Sequence, residues 1–428
     1  MTSRSMTLIQ ELTLRGLVQD IMPGTEELLE KEKIAAYIGV DPTASSLHVG
    51  NLASLMLLVF LQRDGHQPIA LVGGATGMVG DPSGKKEERT LLDEETLLKN
   101  QQGIREQMAA LLDFERTENP AKLENNYEWF KDMGALEFLR NIGKHLTINY
   151  MLAKDSVKSR IESGLSFTEF SYQLIQGYDF CHLYNNHGVK LQMGGSDQWG
   201  NITAGTELIR RMCGGEAYAF TCPLMTKADG SKFGKSEGGN IWLDESMTSP
   251  YRFYQFWLNS SDEDAEVMIK RFTLLELSEI DTLIQEHAEA PHKRLLQSKL
   301  AEEVTVMIHG REKYEAAVVA SNILFQGSRS DLAKLDRQQL LELLDGVPTH
   351  EISKNDLQTE VSAVEFLSSL TGILSSKSEA TRSLKENSIS INMEKISLDT
   401  MLSQEDLLNE QFVLVQKGKR NRFLVVVS

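Results

Sequence analysis

Cysteine is rare in this sequence. Only Cys181, Cys213 and Cys222 occur in 428 residues, and no two of them form a CxxC pair. A small, odd and scattered set of cysteines argues against a disulfide framework and against a thiolate zinc site. We therefore expect reduced and mostly buried thiols in a cytoplasmic protein.

Positive charge is also in short supply. The chain has 44 Lys and Arg against 61 Asp and Glu, which gives a net charge of −17. Attraction to phosphate needs a local excess of cations, so this composition argues against a general binder of nucleic acid. Any contact with RNA must come from a local basic patch.

Long apolar runs are missing as well. The longest run, Leu52 to Leu61, is interrupted by Ser54 and is far shorter than the ~20 residues of a bilayer-spanning helix. The first fifteen residues carry no continuous apolar core of the kind found in a signal peptide. We expect no membrane partner. At roughly 150 residues per domain, the length predicts two to three domains.

The first half of the chain reads as α/β. Residues 33–40 and 67–72 are short apolar runs typical of buried strands, and the apolar run 52–61 between them predicts a helix. A strand, a helix and a strand in this order predict a parallel sheet. The glycine-rich turn at 73–84 follows, but it fits neither the GxGxxG dinucleotide fingerprint nor the P-loop spacing.

The character of the sequence changes after Ser249 and Pro250. We predict three parts: a Rossmann-like catalytic domain at 1–249 with an inserted connective segment, a helical domain at 250–345, and a linker with a small mixed domain at 346–428. No internal repeat is visible.

Two short motifs carry the chemistry. The first, DPTASSLHVGN, occupies 41–51 at a strand-to-helix junction, and the second, KFGKS, occupies 232–236 in a glycine-flanked loop. A helix N-terminus offers free N–H groups to a phosphate, and His48 can add a hydrogen bond there. Two lysines on a mobile loop can neutralise charge as pyrophosphate leaves. Taken alone, each motif also fits a capped helix start or a solvated loop.

Together, in this order, the two motifs resemble the HIGH and KMSKS motifs of class I aminoacyl-tRNA synthetases. Further segments extend the resemblance to bacterial-type tyrosyl-tRNA synthetases over essentially the whole chain: YIGVDPTASSLHVGN, ALVGGATGMVGDPSGKKEER, NNYEW, FSYQLIQGYDF and GGSDQWGN. The resemblance implies that tyrosine is activated with ATP and transferred to tRNA(Tyr). It also implies a homodimer with the connective segment at its interface.

One polar stripe can be recognised from the spacing of its residues alone, without the family resemblance. Tyr172, Gln176 and Asp179 are spaced i, i+4, i+7 and fall within about 60° of one another on a helix. They could line a site, or they could be the wet side of a surface helix. The resemblance favours a site in which Asp179 and Tyr37 take the phenolic hydroxyl of tyrosine. The tyrosine-binding residues that it implies are Tyr37, Asp81, Tyr172, Gln176, Asp179 and Gln198.

The resemblance also implies which residues take part in catalysis and which bind ATP. The resemblance implies catalytic roles for Thr43, His48, Lys85, Arg89, Lys232, Lys235 and Ser236. It places ATP against Gly39, Asp41, Gly50, Asn51, Gly195, Asp197 and Lys235. Asn51 stands where the family usually has His, and Ile38 stands where some relatives have a ribose-contacting Cys. Mg²⁺ is expected to accompany ATP, held mainly by its phosphates and not by a metal site of the protein.

The tail supplies the local basic patch. From Lys377 onward, eight Lys and Arg stand against seven Asp and Glu, so this segment is near +1 in an otherwise acidic chain. It resembles the S4-type RNA-binding module, and the cluster QKGKRNR at 416–422 is a candidate phosphate patch. A basic cluster near the end of the sequence could also be a merely solvating one.

Three other functions are weighed. Tryptophanyl-tRNA synthetases share both motifs, but the pair Tyr37 and Asp179 argues against that specificity. A catalytically silent RNA-binding paralogue is disfavoured because His48 and both motif lysines are present. A Rossmann oxidoreductase is disfavoured because the dinucleotide fingerprint is missing.

Overall fold

The structure is a computed structural model, and the residues it describes fall into two compact units. Unit 1 comprises Met1–Met247 with Trp257–Ile308, and unit 2 comprises Thr248–Phe256 with His309–Ser428. The described residues are 6–83, 92–161, 164–230, 233–236, 239–345, 347–418 and 421–428. The division into 1–249, 250–345 and 346–428 remains a prediction.

A parallel sheet forms the centre of unit 1. Its strands are β1 (Ala35–Val40), β2 (Gln67–Val72), β3 (Lys122–Asn125), β4 (Val189–Gly195) and β5 (Tyr218–Cys222), in the order β3-β2-β1-β4-β5. All neighbouring pairs run parallel. This confirms the α/β fold and both predicted strands. The strand order reverses beside β1, and such a point leaves a crevice at the carboxyl ends of the strands. A short hairpin, β6 (Lys235–Ser236) with β7 (Gly239–Asn240), follows.

Helices precede, separate and follow these strands along the chain as far as residue 309. They are α1 (Leu8–Leu14), α2 (Thr25–Lys31), α3 (Val49–Arg63), α4 (Glu94–Leu111), α5 (Tyr127–Phe130), α6 (Ala135–Asn141), α7 (Ile148–Leu152), α8 (Asp155–Ile161), α9 (Phe167–His187), α10 (Trp199–Cys213), α11 (Pro250–Leu258), α12 (Asp262–Phe272), α13 (Leu277–Glu289) and α14 (Leu295–His309). Short 3-10 turns lie at Thr76–Met78, Gly143–His145, Ser196–Gln198 and Pro291–Lys293.

Local sequence explains where the two site-bearing helices begin and end. The apolar run predicted at 52–61 lies inside α3, which starts directly after His48. Helix α9 starts after Ser166, whose hydroxyl accepts from the Glu169 N–H, and it ends at Gly188 with φ 66°. A positive φ is a conformation that glycine adopts without strain, which explains the stop.

Helices α9 and α10 pack together in a buried core of unit 1. The buried side chains of this core come from the sheet and from both helices: Ala35, Tyr37, Ile69, Leu71, Phe180, Leu183, Val189, Leu208 and Ile209. Burial of this surface fixes α9 against the strands, and with it the polar stripe that α9 carries. The three cysteines are free thiols, and two of them are buried, as expected.

Unit 2 contains a second sheet. The strands of unit 2 are β8 (Thr349–Ile352), β9 (Val361–Ser362), β10 (Ile389–Ile391), β11 (Glu394–Lys395), β12 (Met401–Leu402), β13 (Phe412–Lys417) and β14 (Asn421–Val427). The main order is β11-β10-β13-β14-β8, and β9 pairs separately with β12. Strand β14 lies inside the sheet, antiparallel to β13 and parallel to β8.

Helices of unit 2 flank this sheet. They are α15 (Arg311–Gln326), α16 (Arg329–Leu332), α17 (Arg337–Leu343), α18 (Ala363–Glu365), a π-helical turn at Phe366–Leu370, and α19 (Lys377–Lys385), with 3-10 turns at Lys354–Leu357 and Gln404–Asp406. One buried core joins α15–α17 to the sheet: Leu324, Leu332, Leu340, Leu343, Leu344, Leu408, Phe412, Leu414 and Leu424. Across both units, none of the helices among the described residues has the length and apolarity that a bilayer crossing requires.

Candidate functional site

A cavity of about 340 Å³ opens where β1 and β4 end, at the reversal of strand order. Parallel sheets commonly bind their ligands at this position. Many of the residues predicted for tyrosine and ATP line it: Tyr37, Gly39, Asp41, Thr43, His48, Gly50, Asn51, Asp81, Tyr172, Gln176, Asp179, Gly195, Asp197 and Gln198. The structure thus brings together positions as far apart in the chain as Tyr37 and Gln198.

Five predicted residues cannot be placed in the same way. Lys85, Arg89 and Lys232 lie outside the described residues. Lys235 and Ser236 form β6, which is described by its backbone alone. Their assignment stays a prediction.

Asp179 is the most deeply buried carboxylate of the cavity, with 1% of its surface exposed. The side-chain amide of Asn126 donates to one of its oxygens at 3.0 Å, and the indole N–H of Trp129 donates to the other at 2.9 Å. Burial raises the pKa of Asp179 to about 8, and the charge of Asp41 adds to this, while the two donors act in the opposite direction. The carboxylate is therefore oriented firmly but solvated poorly.

Tyr37 places a second polar group at the same end. Its side chain is fully buried, with its ring edge-on to Phe180 at 5.4 Å. Its hydroxyl finds no hydrogen-bond partner among the described residues. Burial raises the pKa of Tyr37, and the nearby charge of Asp179 raises it further. A buried hydroxyl left in this state is costly, and a ligand that could pair with it would be favoured.

The polar stripe of α9 faces the cavity. Tyr172 is 5% exposed, and its hydroxyl donates to Asp41 at 2.8 Å. The Gln176 side-chain oxygen is buried, and the described residues offer it no donor. The interpretation of this stripe as the wet side of a surface helix is therefore wrong, because the stripe is turned inward.

A buried hydrogen-bond network links Asp41, the partner of Tyr172, to Asp179 at the other end of the stripe. The Thr76 hydroxyl donates to Asp41 at 2.6 Å, and the Asn126 amide donates both to Thr76 and to Asp179, each at 3.0 Å. The Asn126 oxygen accepts from the Ala75 N–H at 2.7 Å. Thr76 was not predicted as a site residue. Its only signal in the sequence is a hydroxyl inside a glycine-rich turn that follows a strand.

Asp81 closes another side of the cavity. One of its oxygens accepts from the Gln198 amide at 2.7 Å, and the other accepts from the Ser83 N–H at 2.9 Å. Asn201, fully buried, also approaches Asp81 and donates to the Gln198 oxygen at 3.1 Å. Asn201 was missed by sequence reasoning although it ends the GGSDQWGN segment. These contacts fix a carboxylate and an amide side by side.

The first residues of α3 form the opposite end of the cavity. Asn51 accepts from the His48 N–H through its side-chain oxygen at 3.1 Å, so it caps the helix in place of the usual family residue. A Cβ on Gly50 would lie 2.8 Å from a carbon of the His48 ring. Gly50 is therefore required for the position of the imidazole, which the sequence alone could not show.

The two signature motifs meet at this helix start. The Val49 N–H donates to the Ile241 carbonyl at 3.0 Å, and the Ile241 N–H donates to the Gly234 carbonyl at 2.9 Å. Phe233, next to Gly234, is buried and stacks on Phe272 at 5.5 Å. The backbone of the KFGKS segment is thus held against the start of α3.

The predicted phosphate patch in the tail is less open than the sequence suggested. Lys417 pairs with Glu379 at 2.8 Å, and Arg422 is half-buried and donates to the Leu324 carbonyl at 3.0 Å. Lys419 and Arg420 lie outside the described residues. Three exposed cations instead lie along α19, where they line a surface cleft: Lys377, Arg382 and Lys385.

Most of the chain is similar to known proteins. Residues 29–326 match the family described as tRNA synthetases class I (W and Y), and residues 339–425 match the Tyrosine--tRNA ligase SYY-like C-terminal domain. The chain is 58% identical to the Tyrosine--tRNA ligase of Bacteroides fragilis, over 99% of this chain and 100% of that protein. It is 58% identical to the Tyrosine--tRNA ligase of Flavobacterium psychrophilum, over 98% and 99%. A C-terminally truncated mitochondrial tyrosyl-tRNA synthetase of Aspergillus nidulans matches with a TM-score of 0.69 at 30% identity, over 76% of this chain and 95% of that one.

Proposed function

Since the chain belongs to the class I tRNA synthetases of the tryptophan and tyrosine group, we propose how its residues carry out the reaction of a tyrosine–tRNA ligase. In the first step the tyrosine carboxylate attacks the α-phosphorus of ATP. A P–O bond forms, the bond to the β-phosphate oxygen breaks, and pyrophosphate leaves. In the second step a ribose hydroxyl of the 3'-terminal adenosine of tRNA(Tyr) takes the tyrosyl group, and AMP leaves.

Tyr37 and Asp179 would read the phenolic hydroxyl of tyrosine. The observation that carries this assignment is the partnerless hydroxyl of Tyr37 beside an Asp179 carboxylate held by two donors. A phenol can donate to the carboxylate and accept from Tyr37. Phenylalanine would leave the Tyr37 hydroxyl unpaired and would give the Asp179 carboxylate no donor beyond Asn126 and Trp129, and the indole of tryptophan has no hydroxyl to offer them.

The ammonium and carboxylate groups of tyrosine would lie further out. Asp81 supplies a carboxylate, and Tyr172 and Gln176 add a hydroxyl and an amide oxygen that can accept from an ammonium. Gln198, fixed against Asp81 at 2.7 Å, would contact the tyrosine carboxylate. The carboxylate is already ionised at neutral pH, so the first step needs no general base, and the site acts mainly by orientation.

ATP would occupy the end of the cavity formed by the start of α3. Gly39, Asp41, Gly50, Asn51, Gly195 and Asp197 would hold the adenosine, while Thr43 and His48 would meet the phosphates. The outer lysines, Lys85, Lys232 and Lys235, with Arg89 and Ser236, would neutralise the charge that builds up as pyrophosphate leaves. ATP is a substrate in this scheme and not a resident cofactor.

Mg²⁺ would enter with ATP, where it would screen the negative charge of the phosphates. Within the described residues, no group of three or more His, Cys, Asp or Glu side chains is placed to hold a metal ion. The ion would be held mainly by phosphate oxygens and water.

The tail would bind tRNA through the exposed cations of α19. Lys377, Arg382 and Lys385 lie on one helix and can approach successive phosphates. This assigns RNA binding to unit 2 and amino-acid activation to unit 1.

A second copy of the chain would cover the surface between Leu136 and Phe167, which we take as the connective segment. Several large apolar side chains are exposed there, with Leu136 at 82% and Phe167 at 74%, and they also include Leu139, Ile148, Leu152 and Ile161. Surface of this kind commonly belongs to an interface. Sedimentation of the protein should therefore give the mass of a homodimer.

Tyrosine-dependent exchange of pyrophosphate into ATP tests the proposal directly. We expect exchange with tyrosine and much weaker exchange with phenylalanine or tryptophan at equal concentration. Preferential exchange with tryptophan would overturn the specificity, and exchange with none of the three would overturn the activity.

A further inference from the structure

The indole of Trp129 depends on its neighbours for its orientation. Trp129 lies in α5, a helix of only four residues. A single helical turn has little stability of its own, because nucleation costs more than one turn returns. The indole is half-buried, and its N–H must point accurately to reach Asp179 at 2.9 Å. Contacts with other elements therefore have to fix it.

Helix α9 provides two such contacts from a single face. Asp179 accepts from the edge of the indole, and His182 lies against its flat side, with ring centroids 4.2 Å apart and planes 14° from parallel. The two residues are three positions apart, a spacing that places side chains next to each other on a helix. Edge and face of the same indole are thus held by neighbouring side chains.

The surroundings of His182 favour a neutral ring. His182 is half-buried, and burial lowers its pKa, with His187 at 6.3 Å contributing in the same direction. Tyr178 lies edge-on to it at 6.4 Å. A neutral imidazole can stack flat on an indole as an ordinary aromatic pair.

We propose that His182 is a positioning residue for the recognition of the substrate hydroxyl: its ring holds the Trp129 indole in the plane from which the indole N–H orients Asp179. The inference rests on the proposed function of Asp179. His182 would touch neither tyrosine nor ATP, and it is not among the residues that line the cavity.

The consequence is a selective loss when the stack is removed. Without it, the indole can rotate, Asp179 keeps only the Asn126 donor, and its carboxylate is less well aimed at the phenol. Tyrosine should suffer from this, whereas phenylalanine, which has no hydroxyl to be read, should suffer little. ATP binding, at the other end of the cavity, should not change.

Two substitutions separate stacking from bulk. His182→Leu keeps a side chain of similar size but removes the flat ring, and His182→Phe keeps a flat aromatic ring. The measurement is kcat/KM for tyrosine and for phenylalanine in pyrophosphate exchange, with KM for ATP and the melting temperature alongside. We expect His182→Leu to lower the tyrosine-to-phenylalanine ratio by about threefold to tenfold, the size expected for one aromatic pair. His182→Phe should restore the ratio to within about twofold of the unchanged protein.

His187→Leu is the matched control. His187 lies on the same helix, pairs with Glu124 at 3.5 Å and does not stack on Trp129. It should leave the ratio unchanged. An unchanged ratio in His182→Leu, or a His182→Phe variant as impaired as His182→Leu, would overturn the inference.

A wrong assignment of Asp179 would be recognised by a different result. Asp179→Asn should lower the tyrosine-to-phenylalanine ratio whatever the role of His182. If Asp179→Asn leaves that ratio unchanged, the assignment of Asp179 is lost, and the inference about His182 goes with it.

Discussion

The Tyr37 hydroxyl is a residue-scale example of a site that is built ahead of its ligand. It is fully buried and has no partner among the described residues. A buried hydroxyl that is left without any partner costs about 1–3 kcal/mol. A bound phenol can pair with this hydroxyl, so the pairing contributes to the preference for tyrosine over phenylalanine.

Removing this hydroxyl should weaken the preference for tyrosine without destabilising the protein. For Tyr37→Phe we expect the tyrosine-to-phenylalanine ratio of kcat/KM to fall about threefold to tenfold, the value of one lost hydrogen bond, with phenylalanine turnover nearly unchanged. The ligand-free protein should melt at the same temperature or a few degrees higher, since an unpaired polar group is gone. An unchanged ratio would show that Tyr37 does not read the phenol.

Asp179 leads to a prediction about pH. Its pKa is raised to about 8 in the ligand-free protein, mainly by burial. A phenol that donates to the carboxylate favours the ionised form, so binding below pH 8 has to release a proton. Tyrosine affinity should therefore increase as pH rises from 6 to 8, by at most about tenfold per pH unit.

Equilibrium binding of tyrosine across this pH range is the measurement. The window lies below the ionisation of a free phenol, with its pKa near 10. Asp179→Asn serves as the control and should bind tyrosine weakly with no such slope. A flat profile in the unchanged protein would contradict the assignment of the carboxylate as the acceptor.

At the scale of elements, the joint between the KFGKS segment and α3 is the feature most open to a test. Gly234 has φ 78°, and a Cβ there would lie 2.8 Å from a methyl carbon of Val49. Gly234→Ala should push the segment away from the helix start. We expect slower adenylate formation with little change in tyrosine affinity, measured by stopped-flow kinetics and equilibrium binding.

Gly230 provides a matched control for this substitution. It also has a positive φ, 79°, but a Cβ on it would meet nothing within 4 Å. Gly230→Ala therefore introduces the same kind of backbone strain without the clash. If both variants slow the first step equally, the contact with Val49 has no special role.

Elements of secondary structure were more predictable from sequence than the contacts between them. Strand β2 was placed at its exact bounds, because an apolar run between polar and glycine-rich segments specifies a buried parallel strand. The bridge from Thr76 through Asn126 to Asp179 was not foreseen, since its members come from three separate segments. Arg422 was expected to face phosphate, yet it packs over Phe325 at 4.7 Å, a contact that only the folded chain defines.

At the scale of the whole molecule, the two proposed functions, amino-acid activation and tRNA binding, belong to different units. Every residue proposed for tyrosine or ATP belongs to unit 1, and α19 belongs to unit 2. A chain ending at Gly327 should keep pyrophosphate exchange within a few-fold and lose most tRNA charging, ~tenfold or more, because it lacks the phosphate contacts of the tail. Full charging by this shortened chain would show that unit 2 does not bind the tRNA.

The position of the cut matters for this experiment. A chain ending at Gly327 keeps only Leu324 among the buried side chains of the core that joins α15–α17 to the sheet. A chain ending at Asp345, the predicted domain boundary, would keep Leu340 and Leu344 as well but lose their buried partners Phe412 and Leu424. Exposing these side chains should lower its melting temperature and favour aggregation. Comparing the two cuts separates a defect of folding from a defect of RNA binding.

Because β14 lies inside the sheet of unit 2, this sheet cannot be completed before β14 has been synthesised. This strand is made after every other strand described, yet the sheet of unit 2 is joined through it, between β13 and β8. About 70 residues separate β8 from β14, so at synthesis rates of about 5–20 residues per second β8 remains without its partner for about 3.5–14 s. During that interval the nascent chain displays an unpaired strand edge while the residues of unit 1 have already been made. The vulnerable moment in the life of this protein is therefore late in its translation.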